Sequence, residues 1–247
     1  MTAKLPDEYV VLLHGILRSK LDMLPLEKFL EKNGFETINI LYPSREMSLE
    51  EITSFVKDTI EEHISQSHLS SDETQGASRS KTYASDAATL SEGKERRLNF
   101  VTHSMGGLIA RYFIATHKPE NLGKVVMLGP PNTGSEFADF LNDNKWLGPI
   151  FRSIFGPASA QLKTNYKHID GDITYPLGII AGSTSINPLA PWILDGQHDG
   201  IVPVERTKIA GMSDHIVIPA NHSFMMFSPD VMKQTLYFLE NSAFKHD

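Results

Sequence analysis

Short apolar runs alternate with amphipathic stripes along most of this chain, and no other feature constrains its fold as strongly. Parallel strands need crossovers of a dozen or more residues between them, usually helices, so the alternation points to a mostly parallel sheet with helices on both faces. The runs with strand character lie at residues 9–13, 35–42, 98–102, 124–128, 177–181 and 215–219. Between the first two, Leu24, Leu26, Phe29 and Leu30 keep helical spacing, and Asn33-Gly34 supplies a left-handed stop. Ser48 followed by Glu51 is an N-cap with its capping-box acid, and Leu49, Ile52, Phe55, Val56, Ile60 and Ile64 form the stripe of the next helix. At 247 residues the alternation fits one α/β domain.

One segment breaks the pattern. Residues 65–97 are rich in Ser, Thr, Asp and Gly, with too few large apolar side chains to offset the entropy of ordering. They are expected to form a flexible insertion at the sheet end opposite residue 104. The net charge of −7, with no basic cluster larger than Lys94-Glu95-Arg96-Arg97, argues against nucleic acid as a partner. The absence of cysteine excludes disulfides, thiolate metal sites and a cysteine nucleophile. Pro6, Asp7 and Glu8 interrupt the N-terminal stretch, which leaves no leader-like apolar run and makes a cytoplasmic location the expectation. No window holds the roughly 20 apolar residues of a membrane span, so any contact with lipid would be at a surface.

The chemistry is expected where residues 98–115, LNFVTHSMGGLIARYFIA, change from strand to helix. Thr102-His103-Ser104-Met105-Gly106 differs by one residue from the pattern G-x-S-x-G, in which a serine on a tight strand-to-helix turn exposes its hydroxyl above the sheet. Gly106 and Gly107 meet the need for small neighbours on one side. On the other side Thr102 stands where glycine is expected, and strain is expected there first.

A serine nucleophile needs a base and a group that orients the base. In this architecture the acid follows a late strand and the histidine follows the last. The loop after residues 177–181 offers Asp195 and Asp199. Asp199 is preferred, because Asp-Gly-Ile-Val-Pro forms a tight turn leading into an apolar stretch. His222 follows the last strand, whereas His103, beside the serine, is expected to pack against the turn. The expected triad is Ser104, Asp199 and His222. The developing oxyanion needs backbone donors, for which Met105 N–H and, after His14-Gly15, Ile16 N–H are the candidates.

Five stretches then carry a resemblance: His14-Gly15-Ile16, His-Ser-Met-Gly-Gly at 103–107, LGPPNTGSEFADFL at 128–141, Asp-Gly-Ile-Val-Pro at 199–203 and Asn-His-Ser-Phe at 221–224. Together they resemble the α/β-hydrolase superfamily, in particular its small bacterial lipases and esterases, over most of the chain apart from 65–97. The resemblance implies a serine hydrolase in which Ser104 is nucleophile, His222 general base and then acid, Asp199 its orienting partner, and Ile16 and Met105 the oxyanion donors. Residues 130–135 are similar to the Pro-x-x-Gly-Ser loop that borders a lipase acyl pocket.

His14 and Gly15 are then expected beside the substrate. So are Trp146, Ile150 and Phe151, in the apolar segment 137–162 where this fold inserts a lid or cap; the alternative for that segment is an ordinary core helix. The expected substrate is a small-molecule or lipid ester, with peripheral contact to a lipid surface through the lid. No cofactor and no metal are expected. The alternatives are acyl transfer, thioester or amide cleavage by the same triad, and a non-catalytic lipid- or protein-binding scaffold.

Overall fold

The computed structural model describes residues 8–16, 18–44, 46–75, 96–133 and 172–246. Six strands form one sheet: β1 (Glu8–Leu13), β2 (Glu36–Ile40), β3 (Arg97–His103), β4 (Leu122–Leu128), β5 (Leu177–Gly182) and β6 (Asp214–Ile218). All six sequence runs are strands, with ends shifted by a few residues. The order is β2-β1-β3-β4-β5-β6, and every pairing is parallel.

Helix α1 (Lys20–Lys32) joins β1 to β2, α2 (Leu49–Gln75) leads from β2 towards β3, and α3 (Met105–His117) joins β3 to β4. The short α4 (Ala190–Ile193) and α5 (Val204–Thr207) lie between β5 and β6, and α6 (Pro229–Asn241) closes the chain. The sheet is buried on both faces, as a parallel sheet must be. Tyr9, Val11, Leu13 and Phe100 pack with Ile52 and Val56 of α2 and Ile109 and Phe113 of α3. On the other face Val10, Leu12, Val101 and Val126 meet Met23, Leu26 and Leu30 of α1 and Phe238 and Leu239 of α6.

Two side chains of the expected apolar stripes are not buried. Leu24 and Phe55, counted in the apolar stripes, are respectively 39% and 36% exposed, while Met23 takes the buried place on α1. The Ser48 cap is formed on both sides: Ser48 N–H donates to Glu51 Oε2 at 2.8 Å and Glu51 N–H to Ser48 Oγ at 3.3 Å. Helix α2 continues to Gln75, eleven residues into the segment expected to be insertion. No proline or glycine interrupts residues 65–75, and the polar side chains make local bonds instead, Ser65 Oγ–H to the Glu61 carbonyl and Gln66 to Glu62. At the other end of the insertion Arg97 is already the first residue of β3; residues 76–95 of the insertion and the lid segment 137–162 lie outside the described residues.

The register fixes where chemistry can occur. Leu13 of β1 stands opposite Thr102 of β3, and His103 opposite Leu128 of β4, so the three strands end level. His14, Ser104 and Gly129 therefore emerge side by side on the carboxyl rim. The chain runs outward in opposite directions from β1 and β3, which makes the gap between them the switch point where α/β sheets bind ligands.

Candidate active site

Ser104 occupies a backbone corner that few L-residues adopt. Its φ is 54° and ψ −122°, between the last residue of β3 and the first of α3. Such a conformation costs about 1–3 kcal/mol and persists only where its surroundings enforce it. They do so by close approach: a Cβ on Gly106 would lie 2.5 Å from the Leu13 carbonyl oxygen, so only glycine lets α3 press against the end of β1. Ser104 N–H donates to the Leu128 carbonyl at 2.9 Å, which ties the corner to β4.

Thr102 does not carry the strain expected of it. It lies in regular β3 pairing and is completely buried, and the positive φ falls on Ser104. The cost of the threonine is polar: its Oγ1 has no hydrogen-bond partner among the described residues.

Asp199, His222 and Ser104 form one hydrogen-bonded chain. His222 Nδ1–H donates to Asp199 Oδ2 at 2.7 Å, and Ser104 Oγ–H donates to His222 Nε2 at 3.0 Å. A carboxylate can only accept, so the first bond fixes the proton on Nδ1 and leaves Nε2 as the acceptor. The acid is held in turn, because Asp199 Oδ1 accepts Ile201 N–H at 3.0 Å and Val202 N–H at 2.7 Å. Asp199 is 1% and His222 5% exposed. Asp195, the other acid of the loop, is exposed and makes no contact of this kind among the described residues.

The base is anchored through its backbone as well. His222 N–H donates to the Asp199 carbonyl at 2.9 Å, and the His222 carbonyl accepts Nε2–H of His103 at 2.9 Å. The His103 ring is buried with its centroid 4.8 Å from that of His222. Burial, followed by the neighbouring His222, pushes the His103 pKa well below its ordinary value, so it stands neutral behind the base. Sequence reasoning placed His103 against the turn but gave no sign of its bond to residue 222. Gly129, at φ 54°, completes the packing: a Cβ there would lie 2.9 Å from Asp199 Oδ2 and 3.2 Å from His222 Nδ1.

Two backbone segments border the serine. Met105 is the first residue of α3, where N–H groups have no partner within the helix and the helix dipole favours negative charge. The loop after β1 reaches the other side, since a Cβ on Gly15 would lie 3.1 Å from Ser104 Cβ. His14, which precedes it, is completely buried. A cleft of about 220 Å³ opens beside the acid and base, walled in part by Ile186, Asn187, Ile201 and Ser223. A larger cavity of about 580 Å³ lies at the far end of α3, around Ile114, Lys118 and Leu122, and does not touch the serine.

Trp146, Ile150 and Phe151 lie outside the described residues, as does the end of the 130–135 loop. Among the described residues no group of three or more His, Asp or Glu side chains is arranged to hold a metal ion, and no helix is long and apolar enough to cross a membrane.

Known proteins resemble this chain in sequence and in fold. Residues 4–133, slightly over half of the chain, match the family model described as "Putative serine esterase (DUF676)". A triacylglycerol lipase of Pseudarthrobacter phenanthrenivorans is 45% identical over 47 residues; that stretch covers 19% of this chain and only 14% of the lipase. The mature form of the Bacillus licheniformis lipase BlEst2 superposes with a TM-score of 0.69 at 17% identity, over 95% of this chain and 94% of that one. Phospholipase PlaB of Legionella pneumophila gives 0.63 at 15% identity, over 96% of this chain and 59% of its own.

Proposed function

The chain belongs to the DUF676 serine esterase family and has the α/β-hydrolase fold, and on that premise we propose that it hydrolyses carboxylic esters through an acyl-enzyme on Ser104. The observation that carries the reading is the continuous bond from Asp199 Oδ2 through the His222 ring to Ser104 Oγ, at 2.7 and 3.0 Å.

In the first half-reaction Ser104 Oγ attacks the ester carbonyl carbon while its proton passes to His222 Nε2. Asp199 holds Nδ1–H and stabilises the imidazolium that forms. The carbonyl oxygen becomes an oxyanion facing Ile16 and Met105 N–H, donors of a kind each worth about 2.7–4 kcal/mol at the transition state. Collapse of the tetrahedral intermediate breaks the bond to the alkoxy group, which leaves as an alcohol with the proton from His222. Water then gives its proton to His222 and attacks the acyl-enzyme, and a second collapse releases the carboxylic acid and restores Ser104.

The triad makes no demand on the rest of the ester. A lipid ester is supported by the relative named a triacylglycerol lipase and by the apolar residues Trp146, Ile150 and Phe151, which we assign to the cover of the acyl chain, with peripheral contact to a lipid surface. Purified protein is expected to hydrolyse p-nitrophenyl esters. Ser104→Ala is expected to abolish turnover, and Asp199→Asn to lower kcat by about four orders of magnitude while Asp195→Asn leaves it unchanged. Loss of activity in Asp195→Asn alone would move the triad. A profile from acetyl to palmitoyl esters tests the acyl cover, which a preference for the shortest chains would contradict.

A further inference from the structure

His14 has a buried imidazole for which ester hydrolysis by the triad has no use. Its Nδ1 lies 2.8 Å from the carbonyl oxygen of Gly15, the next residue. A carbonyl only accepts, so Nδ1 carries the proton and Nε2 is bare. Nε2 is buried with no hydrogen-bond partner among the described residues, and burial lowers the pKa of the ring, so the neutral Nδ1–H form is the one that fits. The ring is held flat against Tyr42, with centroids 4.1 Å apart and planes 4° apart, and Tyr42 O–H donates to the His14 carbonyl.

These contacts act on one peptide plane. The Gly15 carbonyl accepts from His14 Nδ1–H and also from Arg18 N–H at 3.2 Å, so its direction is set by two donors. The described peptide bonds are trans, which makes the Ile16 N–H point opposite to that carbonyl. With the Gly15 α-carbon packed against Ser104, turning this plane over would put a carbonyl oxygen where the oxyanion needs a donor. The preceding peptide is fixed independently by Tyr42 and by the approach of Gly106.

We infer that His14 is a positioning residue for the oxyanion hole: its Nδ1–H bond to the Gly15 carbonyl, on a ring stacked against Tyr42, orients Ile16 N–H toward the reacting carbonyl oxygen. The inference rests on the reading of Ile16 N–H as an oxyanion donor. It assigns His14 to the transition state rather than to substrate binding, and the two leave different kinetic traces.

The test is steady-state hydrolysis of p-nitrophenyl butyrate together with inhibition by an alkyl trifluoromethyl ketone, which adds to the serine and forms an oxyanion. His14→Phe keeps a ring for Tyr42 but has no donor. It is expected to lower kcat about 10- to 100-fold, with KM within about twofold, and to weaken the ketone by the same factor as kcat. His14→Asn, whose amide nitrogen can stand where Nδ1 stands, is expected to recover most of kcat. If His14→Phe does not fold, His14→Gln takes its place, since its amide reaches the position of Nε2 and not that of Nδ1. Equal kinetics in the Asn variant and the donor-free variant, or a raised KM with unchanged kcat, would overturn the inference. Ser104→Ala separates the two readings. If it is inactive while His14→Phe keeps full kcat, only the role of His14 falls; if it retains wild-type activity, the reading of the triad falls.

Discussion

At the scale of the residue, the corner at 104 separates two kinds of departure from the small-residue pattern. Thr102 departs in its side chain and fits a regular strand, whereas Ser104 has an ordinary side chain on an unusual backbone. The buried Thr102 hydroxyl without a partner is a cost with no visible return. Thr102→Val keeps the shape and removes the polar atom, so it is expected to add up to about 1 kcal/mol of stability and raise Tm by about 2–4 °C, with kcat unchanged. Thermal denaturation checks this, and a fall in Tm of that size would mean that the hydroxyl has a partner, such as a buried water. Ser104, His222 and the turn at His14-Gly15 were legible in the sequence because each follows closely on a strand, and strand ends can be read from local pattern; Asp199, seventeen residues past β5, was legible from its Asp-Gly turn. The clamps by His14 on Gly15 and by His103 on His222 were not, because each depends on where a buried ring points. Local spacing records that a histidine is present but carries no information on what its nitrogens meet across the fold.

At the scale of the element, close approach of backbones decides the site. Helix α3 can place Met105 N–H beside the serine only because Gly106 lets the helix rest on the end of β1, with 2.5 Å between a notional Cβ and the Leu13 oxygen. Gly106→Ala must push these elements apart. It is expected to cost about 1–3 kcal/mol of stability and at least about tenfold in kcat, because the corner and its donor move together. Gly178 offers the contrast. A Cβ there would lie 2.6 Å from the ring of Phe238, so Gly178→Ala should strain the packing of β5 on α6 far from the carboxyl rim. It is expected to lower Tm with kcat and KM of the folded enzyme unchanged; equal kinetic damage in both variants would deny α3 its special place. Strand and helix identities were readable because strands buried on both faces show as short continuous apolar runs, whereas the helices repeat their apolar residues with a period of 3.6. The continuation of α2 to Gln75 was not, because a helix that runs beyond its buried stripe loses its apolar period while keeping its local bonds.

At the scale of the whole molecule, the fold disfavours the charged form of His14, His103 and His215. Burial lowers the pKa of His14, His103 and His215 below the ordinary 6.5, most strongly for His103. The unfolded chain therefore takes up protons first as the pH falls. Stability from these groups is complete above about pH 6.5 and is lost progressively as the pH falls from there toward their folded-state values, by at most about 1.4 kcal/mol per pH unit for each group. Tm is expected to fall from pH 7 to pH 5, and a flat or rising Tm over that interval would contradict the neutral assignment. The parallel register sets β1, β3 and β4 level, so the loop at Gly15-Ile16, the corner at Ser104 and the wall at Gly129 share one rim.

The central claim is that this rim makes Ser104 the nucleophile, and covalent labelling tests it most directly. The folded protein is treated with a fluorophosphonate, which phosphonylates an activated serine, and the adduct is located by peptide mass spectrometry. The account predicts one stoichiometric adduct on Ser104, absent in Ser104→Ala and strongly slowed in His222→Ala. An adduct on another residue, or no adduct in protein that hydrolyses esters, would contradict it.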